Sequence, residues 1–282
     1  MFFEPNRTSF DLNFRLFGIN IRIHPLFWLF SALIGFGSVQ QYGLRAGMPF
    51  LLIWIACVFV SILIHELGHV WMGQVFGNHG HIVIYSFGGL AIGSNASSTW
   101  WKRVLVSFAG PLAGFILLGL LIVILRVVSP GRLFDNFRIL FGIFGIQSTQ
   151  LFPYVPYNPN PYLDRAILNL FYINFFWGVL NLLPIFPLDG GQISRDFLSQ
   201  VNPRSGYKIS LLISAIVAGL LAVHSFMYYN SGKGLIPFLQ FGSNYTAFMF
   251  AILAFQSFMQ LQQQHHTDPY DPWMGERRPW ER

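Results

Sequence analysis

The stretch SILIHELGHVW, residues 61–71, decides the character of this chain. Most of its residues are those of a helix that crosses a lipid bilayer, but His65, Glu66 and His69 interrupt the apolar run. A charged side chain near the middle of a membrane span costs roughly 3 kcal/mol or more unless it has partners. Such residues therefore mark functional sites. Two packed core histidines beside a stray glutamate are the less favoured alternative.

The composition of the whole chain is that of an integral membrane protein. Of its 282 residues, 54% are hydrophobic and only 10% are charged, whereas soluble proteins carry roughly 25% charged residues. Apolar runs of about 20 residues, the length that crosses a bilayer, predict an all-α polytopic membrane protein with about six transmembrane helices. The predicted spans are at about 26–44, 50–76, 104–129, 166–186, 209–228 and 235–258.

Polar segments border this predicted transmembrane core, which comprises residues 24–260. Residues 1–23 are expected to form a cytosolic leader, and the polar, proline-containing tail, residues 261–282, is expected to be disordered. The predicted topology leaves most basic residues in the cytosol, so both termini are expected there. The net charge of +6 is then a matter of topology rather than of nucleic-acid binding. Without a removable signal pattern or a transit-like leader, the plasma membrane is the expected location.

Three segments outside the predicted spans have patterns of their own. The alternation of apolar and polar residues in 18–23 suggests a brief strand or an interfacial segment. Residues 81–93 have two apolar arms around Gly88 and Gly89, which predicts a short membrane-associated β-hairpin-like segment or an extended loop. The proline-rich stretch 130–165 is expected to be a long external loop.

The histidine pair has the spacing of two ligands on one helix. Because His65 and His69 are four residues apart, their side chains would lie about 40° apart around a helix axis and about 6 Å apart along it. Two imidazoles on one face can bind the same metal ion. Glu66, about 100° further round, can then act on a water at that ion.

A catalytic zinc with two histidine ligands needs a third protein ligand, usually a histidine or a carboxylate. Acidic residues are scarce in the predicted spans, and Asp164 and Asp189 border the fourth one. Asp189 follows Pro184 and Pro187, which disfavour helix, and it precedes two glycines that let the backbone turn. A carboxylate on such an unwound tip can reach a metal. An ordinary aspartate in an interfacial turn is the alternative.

Three motifs together resemble the site-2 protease family of intramembrane zinc metalloproteases. They are HELGH at 65–69, FAGP at 108–111 and PLDGG at 187–191. The resemblance covers roughly residues 18–200. Many members of the family have an asparagine a few residues after the AGP motif, where this chain has Gly114.

The resemblance implies one Zn²⁺ per chain, bound by His65, His69 and Asp189, with Glu66 as the catalytic acid and base. It implies that Asn181 helps to hold the substrate carbonyl or backbone at the site, and a helix-packing amide is the alternative for that residue. It also implies that the β-hairpin-like segment lies near the substrate. A free strand edge there could bind an unwound substrate.

The implied activity is zinc-dependent hydrolysis of a peptide bond within or next to the transmembrane segment of a single-span membrane protein. The expected partners are this substrate and the lipid bilayer, but not nucleic acid, and the oligomeric state is left open.

A catalytically silent zinc-binding chaperone or scaffold would be expected to lose Glu66 or a ligand. A metal-ion transporter would need polar groups along a route. His24, His79 and His81 are interpreted as interfacial groups, and a gating or substrate role is the alternative for them. His224 is interpreted as a helix-packing donor rather than a ligand.

Overall fold

The computed structural model of the protein describes residues 4–86, 88–144, 146, 151–152 and 154–266, which are mostly helical and include a small sheet. The helices are α1 Pro25–Gly35, α2 Gly37–Val75, α3 Trp100–Val128, α4 Pro130–Ile143, α5 Pro161–Leu182, α6 Asp189–Val201, α7 Gly206–Ser231 and α8 Asn244–His266. The strands are β1 Leu12–Leu16, β2 Ile19–Ile23, β3 His81–Tyr85 and β4 Gly88–Ile92.

Three of the predicted spans correspond to helices that could cross a membrane. Helices α2, α3 and α7 are long and apolar enough to do so, and they match the predicted spans 50–76, 104–129 and 209–228. The count of six is not confirmed. The other predicted spans lie at α1, α5 and α8, and within the described ranges none of these helices combines the required length and hydropathy.

The predicted span 26–44 is a broken element. Helix α1 has only 11 residues and ends at Gly35. A second break lies inside α2 at Gly43, where a φ of 77° divides the helix. Glycine adopts this conformation readily and does not interrupt a hydropathy run. The apolar run 26–44 therefore predicted one continuous helix, although the helical backbone is interrupted there.

The C-terminal region also differs from its prediction. Gly232, with a φ of 68°, ends α7 in the left-handed conformation, and the next helix begins only at Asn244. The first part of the predicted span 235–258 is therefore not helical. Helix α8 then continues to His266, through the first residues of the predicted disordered tail. Residues 267–282 of that tail lie outside the described residues.

The β-structure is larger than the predicted hairpin, so the fold is helical with a four-stranded sheet rather than all-α. The strands follow in sequential order, with β1/β2 and β3/β4 antiparallel and β2/β3 parallel. The β3–β4 hairpin is confirmed, but Tyr85 pairs with Gly88, so Gly88 and Gly89 open β4 instead of forming the turn. The predicted strand at 18–23 is confirmed as β2. The second half of the leader 1–23 thus forms the first two strands of the sheet.

One face of the sheet packs against helices α1 and α2. Alternate isoleucines of the two central strands are buried there: Ile19, Ile21, Ile23, Ile82 and Ile84. Burial of each such side chain contributes about 2 kcal/mol. They cluster with Ile62, which precedes the histidine motif on α2, and with Leu67, which lies inside it. This apolar core therefore places the sheet beside the predicted site.

The predicted external loop 130–165 contains a helix. Leu133 and Leu140 of α4 are seven residues apart and so lie on one helix face. Both are buried in a cluster with Ile167 and Phe171 of α5. The apolar partners that stabilise α4 come from a different segment, so the loop sequence alone did not indicate it.

Candidate metal centre

Two histidines from α2 and an aspartate from α6 meet in the interior. The Nε2 atom of His65 lies 3.1 Å from Asp189 Oδ2 and 3.2 Å from His69 Nε2, and His69 Nε2 lies 3.4 Å from Asp189 Oδ1. All three residues are buried. Across the described ranges, they are the one group of three ligand-type side chains close enough to hold a metal ion. The structure thus brings the predicted ligands together.

The three separations fit a tetrahedral zinc ion. Zinc–ligand bonds of about 2.0–2.1 Å place neighbouring ligand atoms about 3.3 Å apart at the tetrahedral angle. The observed distances of 3.1, 3.2 and 3.4 Å bracket that value. Two imidazoles and one carboxylate are also a ligand set of catalytic zinc sites, which leave the fourth position open.

Helix α3 orients His69 and packs closely against both imidazoles. The Nδ1 atom of His69 donates a hydrogen bond to the Val106 carbonyl at 2.7 Å, which leaves the Nε2 lone pair for a metal. A Cβ at Gly110 would meet the ring of His69 and the Nε2 atom of His65, and a Cβ at Gly68 would meet the α3 backbone. The two glycines therefore let α2 and α3 approach until the rings fit between them.

Asp189 is the first residue of α6 and directly follows a non-helical connection. The two prolines of that connection have no amide hydrogen to continue α5. A Cβ at Gly190 or Gly191 would meet backbone atoms of residues 182–186. The connection thus folds back against the start of α6, and only glycine allows this contact at the two positions after Asp189.

A partly buried ion pair ties α6 to α3. The Nε atom of Arg103 donates to the Asp196 carboxylate at 3.2 Å, and Asp196 is only 4% exposed. Asp196 follows Asp189 by two helical turns, so both side chains lie on the same face of α6. The pair holds the helix that carries one ligand against the helix that orients another.

Glu66 lies buried next to the ligands and beneath β4. Its exposed fraction is 5%. A Cβ at Gly89 would meet the Cγ, Cδ and Oε1 atoms of Glu66, so the strand backbone passes directly over the carboxyl group. β4 is the last strand of the sheet, and its outer edge pairs with no other strand in the described part of the chain. Glu66 therefore contacts the backbone of an edge strand.

The structure shows Asn181 buried, with its amide nitrogen donating to the Trp177 carbonyl of the same helix at 2.9 Å. This bond lies within α5 and joins no second helix, so both the catalytic role and the helix-packing alternative stay predictions. Sequence reasoning missed Asn174, which donates to Ser61 Oγ on α2 at 3.0 Å and lies beside Gly114. The seven-residue spacing of the two asparagines could have indicated one polar face of α5.

Two of the other histidines have structural partners. The Nδ1 atom of His24 accepts the hydrogen bond that caps the start of α1. The Nδ1 atom of His224 accepts a hydrogen bond from the Ile236 amide at 3.1 Å. Both contacts favour a packing role. His81 lies 3.7 Å from a carboxylate oxygen of Glu4, away from the ligands.

The sequence profile of peptidase family M50 matches residues 53–224, more than half of the chain. The chain belongs to peptidase family M50. This M50 chain is 30% identical over 211 residues to a zinc metalloprotease of Methanocaldococcus jannaschii, across 74% of the chain and 51% of that relative. It is also 30% identical over 196 residues to a Synechocystis protein that carries a provisional zinc-metalloprotease name, across 66% of the chain and 44% of that relative. The chain thus spans about half the length of the curated relatives it matches.

A solved structure has the same fold. The site-2 protease from Methanocaldococcus jannaschii matches with a TM-score of 0.50 over 89% of this M50 chain and 95% of that chain, at 23% identity. The comparisons confirm the resemblance to the site-2 protease family. One of the relatives is named a zinc metalloprotease, and in this chain His65, His69 and Asp189 lie close enough together to hold a metal ion. With its three apolar helices, the chain is a membrane protein of a metallopeptidase family.

Proposed function

We propose that the chain is a zinc-dependent intramembrane endopeptidase that hydrolyses a peptide bond within or next to the transmembrane segment of a single-span membrane protein. The observation that carries this proposal is the position of two metal ligands inside α2, a helix that is long and apolar enough to cross a membrane. His65 lies ten residues before the end of α2 at Val75, which is about 15 Å along a helix. This is about half of the roughly 30 Å hydrocarbon thickness of a bilayer.

The residues around the centre have complementary roles in the proposed reaction. When bound, zinc supplies Lewis acidity that polarises the scissile carbonyl and lowers the pKa of a water at its open position towards about 7. Glu66 takes the proton of the attacking water and then donates it to the leaving amine. The hydrogen bond from His69 to Val106 keeps the imidazole in the orientation that binding requires.

The outer edge of β4 is the proposed binding position for the substrate. A helical substrate hides its own carbonyls and amides, so it must unwind before hydrolysis. An extended segment can then add to the open edge of β4 as an additional strand, next to Glu66. Glycine or proline near the scissile bond would ease the unwinding.

The proposed orientation has both termini in the cytosol, and the proposed location is the plasma membrane. Lys102 and Arg103 lie in the first turn of α3, on the same side of the helices as the end of α2. The basic residues of the N-terminal segment are expected on that side too. The positive-inside rule supports a cytosolic position for the side of the membrane that carries these basic residues.

The alternatives from other classes are less well supported. A transporter would need a series of polar groups along a pathway through the membrane, whereas one metal-binding group is found within the described ranges of this chain. A catalytically silent chaperone or scaffold would be expected to lose the base or a ligand. Here Glu66 and all three ligands are present.

Zinc removal tests the proposal. The detergent-purified protein is expected to cleave members of a panel of fluorescent single-span substrates, to stop when a chelator removes its zinc, and to recover when one equivalent is returned. The same substrates without their transmembrane segment are the control for non-specific proteolysis. A protein that holds zinc but cleaves no panel member would favour the chaperone or scaffold. A protein that holds no metal would contradict the metal centre itself.

Gly89→Ala is expected to lower turnover while zinc stays bound, because the new methyl group must displace Glu66 or β4. A catalytic group misplaced by about 1 Å can cost about 100-fold in rate, and we expect a loss of that order. Gly88→Ala is the matched control, since its Cβ would meet only Trp177, at 3.7 Å. The measurement is turnover and zinc content of both variants. Equal turnover would contradict the close contact between β4 and Glu66.

A further inference from the structure

We propose that Ser214 of α7 and Ser257 of α8 are positioning residues for the zinc ligand Asp189 and act through the backbone of Phe186. This inference rests on the proposed metal centre. It extends that centre to the two C-terminal helices, neither of which carries one of the three ligands.

Both polar backbone groups of Phe186 face these serines. The Phe186 amide donates a hydrogen bond to Ser214 Oγ at 2.7 Å, and Ser257 Oγ lies 3.4 Å from the Phe186 carbonyl oxygen, within hydrogen-bonding distance. The two hydroxyl oxygens lie 2.6 Å apart, and neither serine has exposed surface. Asp189 is three residues further along the chain. The serines therefore hold the connection close to the point where the ligand leaves it.

The hydroxyl hydrogens can be assigned so that every group has a partner. Because Ser214 Oγ accepts the Phe186 amide, its own hydrogen is available to Ser257 Oγ. Ser257 can then donate to the Leu253 carbonyl at 2.9 Å or to the Phe186 carbonyl. The three groups form a directed chain in which loss of either hydroxyl leaves a buried neighbour without its partner.

The connection is compact enough to transmit the position of Phe186 to Asp189. The neighbouring Ile185 is fully buried in an apolar cluster formed by α7 and α8. Its partners are Ala218, Leu221, Phe250 and Leu253. The Leu188 amide donates to the Ile185 carbonyl at 2.8 Å, and a Cβ at Gly191 would meet the Ile185 backbone. The backbone on both sides of Asp189 thus packs on the residue next to Phe186.

Helix α7 supplies a matched control. Ser225 is also fully buried, but its hydroxyl has no hydrogen-bond partner among the residues that the structure describes. Ser225→Ala and Ser214→Ala remove the same atom from the same helix. Only Ser214 contacts the connection that leads to Asp189.

The experiment compares Ser214→Ala, Ser257→Ala, the double variant and Ser225→Ala as full-length proteins. Zinc affinity, measured by competition with a chelator, is expected to fall about 10-fold or more in Ser214→Ala, as it does when outer partners of metal ligands are removed. The visible absorption of the cobalt-substituted protein is expected to change as well, because Asp189 shifts. Ser225→Ala is expected to match the wild type in both readouts. The double variant is expected to lose no more than Ser214→Ala, because the hydroxyls act as one unit.

Other outcomes separate the competing explanations. Serines that only stabilise the fold would lower the unfolding temperature and leave the zinc affinity and cobalt spectrum of the folded protein unchanged, which would overturn the proposal. If Ser214→Ala yields no folded protein, Ser257→Ala is tested instead, because it is the milder change and keeps the bond from Phe186 to Ser214. The proposal then requires that Ser257→Ala lowers the zinc affinity and changes the cobalt spectrum. A wild-type protein that binds no zinc would contradict the metal centre, and this inference with it. Failure of the proposed metal centre, seen as absent zinc in the wild type, is therefore distinguishable from failure of the serine proposal, seen as unchanged zinc affinity in the serine variants.

Discussion

Glu66→Gln is expected to lower peptide hydrolysis by about 10²–10⁴-fold, the range that general acid–base catalysis contributes. Glutamine keeps the size of the side chain under β4 but cannot take a proton from water. Zinc is expected to remain bound, because the atoms that meet around the metal position belong to His65, His69 and Asp189. The measurement is turnover of a single-span substrate together with zinc content per chain.

Asp189→Asn provides the comparison for that variant. It weakens a ligand instead of the base, so zinc and activity are expected to decline together. If Glu66→Gln lost its zinc in the same way, Glu66 would be acting as a ligand. If it retained wild-type turnover, the proposed role as base would be wrong.

Gly110→Ala is expected to lower zinc affinity about 100-fold, the upper end of the effect of groups around metal ligands, and to lower hydrolysis with it. The new Cβ would overlap the ring of His69 and the Nε2 atom of His65. Movement of α3 away from α2 would break the hydrogen bond from His69 to the Val106 carbonyl. The histidine rings must therefore give way. Chelator competition measures the affinity.

The matched control lies on the same helix. A Cβ at Gly119 would have no neighbouring atom within 4 Å. Gly119→Ala is thus expected to retain zinc and activity, since alanine favours helix over glycine. Similar zinc affinity in the two alanine variants would show that α3 does not press on the ligands.

The residues of the metal centre could be predicted because their signals are local. Two histidines four residues apart must share a helix face whatever surrounds them, and Glu66 is next to the first of them. Asp189 could be found because carboxylates near the spans are scarce and because prolines and glycines mark a break in the helix around it. The family comparisons then agreed with the motifs.

The boundaries of the spans were harder to predict, because hydropathy is an average over many residues. It does not register the breaks at Gly35 and Gly43, and it continues past the non-helical residues before Asn244. One glycine with an unusual backbone conformation can end a helix, but a single residue hardly changes the mean hydropathy of a long apolar run. Among the described residues, three candidate spans are found where about six were expected.

The sequence by itself determined the membrane class of the protein, the ligand-type residues and the place where the chain must unwind. These features depend on composition and on spacings within one turn of a helix. Only the tertiary structure decided that β2 pairs with β3, that β4 covers Glu66 and that two serines hold Phe186. These contacts join segments that are far apart in the chain. Their register depends on how whole helices and strands pack, which no short stretch of residues encodes.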